Sequence, residues 1–224
     1  MSDARERDPR PDSESEAGVP AGQFSGWLDT MLGALNDGQD SDVPCGTCTA
    51  CCTASQFVHI APDETDTLAH IPEALLFPAP RMPAGHVLMG YDENGRCPML
   101  IDGRFSIYAH RPRTCRVYDC RVFAATGLAP DDDGDTTKTM IAARSRQWRF
   151  EHPTDADRSR HDAVRRAASM ITGDDAELFD AGEAPTTPTQ RAVLAIRIGE
   201  VFVDADVEPE AVRLAIRRST NASR

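Results

Sequence analysis

A tight knot of cysteines, strand-like runs downstream of it, and apolar residues at helical spacing on either side predict an α+β fold. Its expected form is a small irregular core centred on a metal, with a short β-hairpin and flanking α-helices. The knot is CGTCTACC, Cys45 to Cys52: four cysteines in eight residues, the last two adjacent. The strand-like runs are FVHI, directly after the knot, and HVLMGYD and RCPMLI on either side of ENG, which reads as a hairpin with an Asn-Gly turn. The chain has 224 residues, enough for one substantial domain and tails. Only 6% of them are aromatic, so the core is built mainly of Ala, Val, Leu and Ile, and metal ligation compensates for its modest size.

The elements follow in order. Residues 1–23 are rich in charge, Pro, Ser and Gly and read as a disordered tail. Phe24, Trp27, Leu28, Met31 and Leu35 recur at helical spacing, with Ser25 placed to cap the start and the Gly38 region to end it. The cysteine-cluster domain spans 24–125. Within it a short helix is expected near Asp63 to Leu68, stopped at Pro72, and the hairpin carries Cys97 back toward the core. Pro112 suits a first helical turn, which puts Cys115 and Cys120 on or just beyond a helix. The run DDDGD at 131–135 lacks the ligand spacing of a calcium-binding loop and reads as a solvated loop. Residues 126–224 form a helical C-terminal region without cysteine, with weak helical character over 136–150 and clearer patterns around Val164 to Ile171, Leu194 to Phe202 and Val212 to Ile216.

The net charge of -12 argues against a nucleic-acid partner, because that binding draws on Lys and Arg to displace counterions from phosphates. The first 22 residues hold no apolar run that would serve as a signal-peptide core, and no stretch is long and apolar enough to span a bilayer. A cytoplasmic, membrane-free protein is expected, with a protein partner left open. Seven cysteines in a reducing compartment point to metal or redox duty, and their odd number agrees.

A CxxC turn lets two thiolates converge on one ion. Cys45, Cys48 and Cys51 make two such turns in series, the CxxCxxC spacing that opens the bacterial ferredoxin run, whose fourth cysteine precedes a proline. Cys97 is followed by Pro98. Taken singly, Cys97, Cys115 and Cys120 serve equally well as small buried hydrophobes. The radical enzymes that use S-adenosylmethionine space their cysteines CxxxCxxC, which this chain does not, and a thioredoxin-like motif leaves the third and fourth cysteines unexplained. The spacing favours an iron-sulfur cluster, with zinc as the other candidate. The side chains of adjacent Cys51 and Cys52 diverge on most backbones, so one of them is expected to face a second metal or to be spare.

CGTCTACC, then CPML, then SIYAHRPRTCRVYDC together closely resemble the YkgJ-type cysteine-cluster family, a zinc- or iron-chelating domain with the signature CxxCxxCC. The resemblance covers about residues 45–125. It implies metal or iron-sulfur binding by Cys45, Cys48, Cys51, Cys52, Cys97, Cys115 and Cys120, in a structural, electron-transfer or redox-sensing role. One relative, the flagellin lysine methylase, is an enzyme, which makes an iron-sulfur-dependent modifying enzyme the alternative. The chain shows no GxGxxG, GxxxxGK or GxSxG motif that would supply a cosubstrate or nucleophile site. Family members usually carry a further cysteine just before SIY, where this chain has Phe105. A site that needs all eight ligands would require His110, Asp119 or another cysteine to substitute for it. Arg111, Arg113 and Arg116 surround the second cysteine group and suit the offsetting of thiolate charge or the bracing of the loop.

Overall fold

The computed structural model describes residues 18–37, 39, 41, 43–131, 134–173, 178–179, 184–204 and 207–221. Helices and short strands in small sheets give the expected α+β class. Strand β1 (Val19–Gln23) runs parallel to β7 (Trp148–Glu151), with Val19 opposite Trp148 and Gln23 opposite Glu151. Two expectations change here. The tail does not reach Gln23, because Ala21 is buried and β1 finds a strand to pair with; residues 1–17 lie outside the described residues. The weakly helical stretch 136–150 is helical over the 3-10 turn Thr136–Lys138 and α5 (Thr139–Ser145) and then turns into β7.

Helix α1 (Phe24–Asp37) buries Phe24, Trp27, Leu28, Met31 and Ala34, the face its spacing predicts. Ser25 is not its cap. The Ser25 N–H instead donates to Asp157 Oδ1 of α6 (Asp155–Thr172), at 3.2 Å. Asp157 also completes a capping box with Thr154, so one carboxylate serves the starts of two helices. Hydrogen bonds from Ser25 and then Thr154 hold it far below the usual carboxylate range.

Strands β2 (Val58–Ile60), β3 (Leu76–Pro78) and β4 (Val87–Met89) form an antiparallel sheet in the order β2-β4-β3, with α2 (Thr65–His70) between β2 and β3 in sequence. The Asn-Gly turn forms: the Asp92 N–H donates to the Arg96 carbonyl at 2.8 Å, and Asp92 Oδ1 accepts from the Asn94 and Arg96 N–H groups. The segments flanking it do not pair, because β2 and β3 already occupy both edges of β4. The hairpin lies one step later, between β5 (Leu100–Ile101) and β6 (Arg104–Phe105).

Helix α3 (Arg113–Val117) carries Cys115, Cys120 directly precedes α4 (Arg121–Thr126), and α7 (Pro188–Ile198) and α8 (Pro209–Asn221) follow α6. One buried cluster joins Phe24, Trp27 and Met31 of α1 to Phe123, Ile141, Trp148, Val164 and Ile196, so packing crosses the expected boundary at 125/126. A second joins α6, α7 and α8 through Ala163, Ala167, Ala195, Ile198 and Val212, where small side chains let the helices approach. A third, around Val58, Ile60, Met89, Met99 and Ile107, lies beneath the three-stranded sheet. In DDDGD, Asp132 and Asp133 lie outside the described residues, and the Asp135 carboxylate accepts from the Thr137 N–H. Among the described residues, no helix is long and apolar enough to cross a membrane.

Candidate metal centre

The first knuckle is a tight turn in which the Cys48 N–H donates to the Cys45 carbonyl at 2.9 Å. Gly46 sits there at φ 56°, a left-handed conformation that favours glycine. Cys51 opens a one-turn helix, Cys51–Thr53. The chain then returns to the Asn-Gly turn: the Cys97 N–H donates to the Cys52 carbonyl at 2.7 Å, and the Ser55 N–H to the Gly95 carbonyl at 3.0 Å. A Cβ on Gly95, itself at φ 74°, would lie 2.3 Å from Ser55 Oγ, so glycine is what lets the two loops touch.

Cys115 is held by the bracing of α3. Buried Glu64 accepts from the Ala61 N–H at 2.9 Å and from the Arg113 N–H at 2.5 Å, and the Thr114 hydroxyl donates to the His59 carbonyl at 2.7 Å. Cys120 precedes α4, and its sulfur accepts the Trp148 indole N–H at 3.1 Å. The neighbouring Asp119 side chain is wholly buried. It accepts from Trp27 Nε1 at 2.8 Å and Ser41 Oγ at 3.4 Å, and pairs with Arg121 at 2.7 Å. Arg121 in turn donates to the Ala21 carbonyl of β1. One carboxylate therefore ties β1, α1 and the Cys120 turn together.

The cysteines fall into two neighbourhoods. Cys45, Cys48 and Cys120 pack against the α1/α4 core, whereas Cys97 and Cys115 pack against the sheet cluster, with Phe105 beside them. Electrostatics divides the adjacent pair in the same way. Cys51 lines a cavity of about 450 Å³, where solvent reaches it yet protein crowds its sulfur. That desolvation, followed by the charges of Cys120 and Cys45, raises its thiol well above the usual value. Cys52 is pushed up to about 12 by burial and then by Cys97, with Cys45 and Cys48 adding. Cys115 also reaches about 12, through burial and then Cys52 and Cys97. Cys120 rises to about 11 through burial, with Asp119, Cys45 and Cys48 adding and Trp148 opposing. Cys45 rises through burial and Cys48, against the lowering pull of Arg144 and Arg111. The largest thiol couplings set Cys51 with Cys120 and Cys45, and Cys52 with Cys97, while Cys115 shares the cavity with Cys45, Cys48 and Cys51.

These donor sets suit a thiophilic metal. Clustered thiols that hold their protons because burial and mutual repulsion disfavour thiolates will give them up to a bound cation, which reverses both effects. When bound, such a centre supplies a cross-link between loops and, if it contains iron, one-electron chemistry.

Neither candidate for the missing eighth ligand joins the cysteines. His110 turns to Asp66, with Nδ1 2.9 Å from Oδ2, and Asp119 is fully engaged by Trp27, Ser41 and Arg121. Among the three arginines, Arg111 faces the cavity and lies over Tyr108, 4.3 Å from the ring centroid, whereas Arg113 pairs with Asp63 at 2.8 Å. The Arg116 carbonyl accepts from the Ser41 N–H. Sequence reasoning passed over Trp148, whose signal was the need of a buried indole N–H for an acceptor.

Loops presenting seven free cysteines, of which Cys45, Cys48, Cys51 and Cys115 line one cavity, define a cysteine-cluster metal-binding domain. Residues 44–139 match the family model CxxCxxCC, described as "Putative zinc- or iron-chelating domain", so this segment of the chain is similar to that family. Comparison with curated proteins and with solved structures finds no match.

Proposed function

We propose that the chain is an iron-sulfur protein whose main centre is held by Cys45, Cys48, Cys51 and Cys120, with Cys52, Cys97 and Cys115 forming a second thiolate set. The observation that carries this reading is the approach of Cys120 to the CxxCxxC loop, across a gap of 68 residues from Cys52. The spacing requires three cysteines in series and a remote fourth, and Cys120 is the remote cysteine that packs in the same core as Cys45 and Cys48. The Trp148 N–H directed at the Cys120 sulfur supports it further, since hydrogen bonds to cluster sulfurs tune the reduction potential. The centre braces the loop 43–53 against α4 and, through the solvent-reached cavity, serves electron transfer or redox sensing.

The test is anaerobic purification with iron, sulfide and zinc analysis and visible absorbance on the full chain, the Cys120→Ser variant and the Cys115→Ser variant. Iron and sulfide in the parent, lost with Cys120→Ser and retained with Cys115→Ser, is the expected result. Zinc alone in the parent overturns the iron-sulfur assignment, and full iron retention in Cys120→Ser overturns the ligand set.

A further inference from the structure

We propose that Asp66, His70 and His110 form a separate surface site for a divalent transition-metal ion of the zinc class. Asp66 and His70 lie four residues apart on α2, and His110 arrives from the one-turn helix Tyr108–His110. One ligand atom from each falls within 4.8 Å of the other two. The two imidazoles stack nearly parallel, at 7° with centroids 3.5 Å apart, so one exposed ring turns about its Cβ–Cγ bond when both Nδ1 lone pairs meet on one ion. His110 Nδ1 lies 2.9 Å from Asp66 Oδ2; His70 Nδ1 lies 2.8 Å from the Asp66 carbonyl and 3.8 Å from Oδ1.

The donors and acceptors make this a ligand arrangement and not merely a surface contact. The hydrogen bond from His110 holds the Asp66 carboxyl below its usual value and so keeps it ionised. An ionised carboxylate and a backbone carbonyl can only accept, so both rings carry their proton on Nδ1. Two ring nitrogens are thus drawn by their protons toward one aspartate, and a cation placed there would replace both protons. In its neutral form each ring would bind the ion through Nδ1 by moving its proton to Nε2, with no proton released to solvent. Two imidazoles and one carboxylate leave the fourth corner of a tetrahedron to water. This donor set suits zinc, cobalt and nickel, whereas calcium and magnesium prefer oxygen alone. Exposure favours ready exchange: the side chains of Asp66, His70 and His110 are 67%, 41% and 39% accessible. An ion there would clasp α2 to the turn that contains Tyr108 and leads through Arg111 into α3, stiffening one wall of the cavity that reaches the cysteines.

Cobalt(II) titration of the full chain, purified anaerobically with its cysteine-bound metal in place, tests this. Cobalt on thiolates gives intense near-ultraviolet charge-transfer absorption, and cobalt on imidazole and carboxylate does not, so the two sites are read separately. The expected result is one further cobalt per chain without new thiolate absorption, abolished in both His70→Ala and Asp66→Asn while the cysteine-bound metal is unchanged. Both positions are exposed, and unaltered circular dichroism and Tm without cobalt would verify that the variants fold. Failure of the parent to bind cobalt beyond its thiolates overturns the proposal, as does binding in both variants equal to that of the parent.

Discussion

Replacing Asp119 by Ala should be among the most damaging single substitutions in this chain. Its side chain has no solvent exposure, and that of its partner Arg121 has 9%. Truncation removes the wholly buried carboxylate that pairs with the Arg121 guanidinium, a loss of about 3–5 kcal/mol. It also removes the acceptor of the Trp27 indole N–H, and orphaning a buried donor costs about 1–3 kcal/mol. The two penalties share one cavity and will not add fully, so about 4–6 kcal/mol is expected. That is a large part of the roughly 5–15 kcal/mol that keeps ordinary domains folded. Urea unfolding of the metal-loaded parent and variant, followed by tryptophan fluorescence, measures the loss as a shift in midpoint at unchanged slope. The double variant Asp119→Leu/Arg121→Met should recover part of it, because it removes both charges and fills the space. A shift in Asp119→Ala worth less than about 1 kcal/mol would refute the idea that this carboxylate locks β1, α1 and the Cys120 turn.

Two pH dependences follow with opposite signs. In the metal-free chain the Cys120 thiol is raised from 9.0 to about 11, so the folded form keeps a proton that the unfolded form loses first. Its contribution, about 2–3 kcal/mol, is intact below pH 9 and disappears as pH rises toward 11, so metal-free protein should melt progressively lower over that window. Metal-loaded protein or Cys120→Ala should show a flatter profile there, and identical profiles would count against the buried thiol. His161 is lowered from 6.5 to about 4, first by burial and then by Arg165 and His152. Its Nε2 must donate to the Ala125 carbonyl at 3.0 Å, which leaves Nδ1 to accept from His152 Nε2 at 2.7 Å, an arrangement that needs a neutral ring. This contribution of about 3 kcal/mol is present above pH 6.5 and lost as pH falls to 4. In His161→Gln, the thermal melting profile between pH 7 and 4 should flatten, and an unchanged slope would exclude His161 as its source.

The α+β class, helix α1 and its buried face, the α2 stop at Pro72, the Asn-Gly turn and the C-terminal helical runs were legible because each depends on local spacing, turn chemistry or side-chain periodicity. Strands β1 and β7 were not. VPAGQ offers no alternation and one buried side chain, and it becomes a strand because WRFE lies beside it. Similarly, HVLM and RCPMLI look like partners in sequence, but β4 spends its edges on β2 and β3, a competition settled only by long-range packing. Ser25 looked like a cap because serine suits that position, yet Asp157 reached the helix start first, from 132 residues away.

The cysteine pattern alone determined that this chain has a metal-binding character, since sulfur ligands at CxxCxxC spacing converge through a local turn that needs no distant help. Tertiary structure decided which sulfurs are neighbours. Cys51 and Cys52 are adjacent in sequence, but the thiol that bears most on one is Cys120 and on the other Cys97, and those two distant cysteines rest in different hydrophobic clusters. It also took His110 and Asp119 out of the cysteine set, one drawn to a surface aspartate and the other enclosed by Trp27 and Arg121. Spacing specifies a ligand's reach along the chain; only the folded core specifies which distant group lies within it.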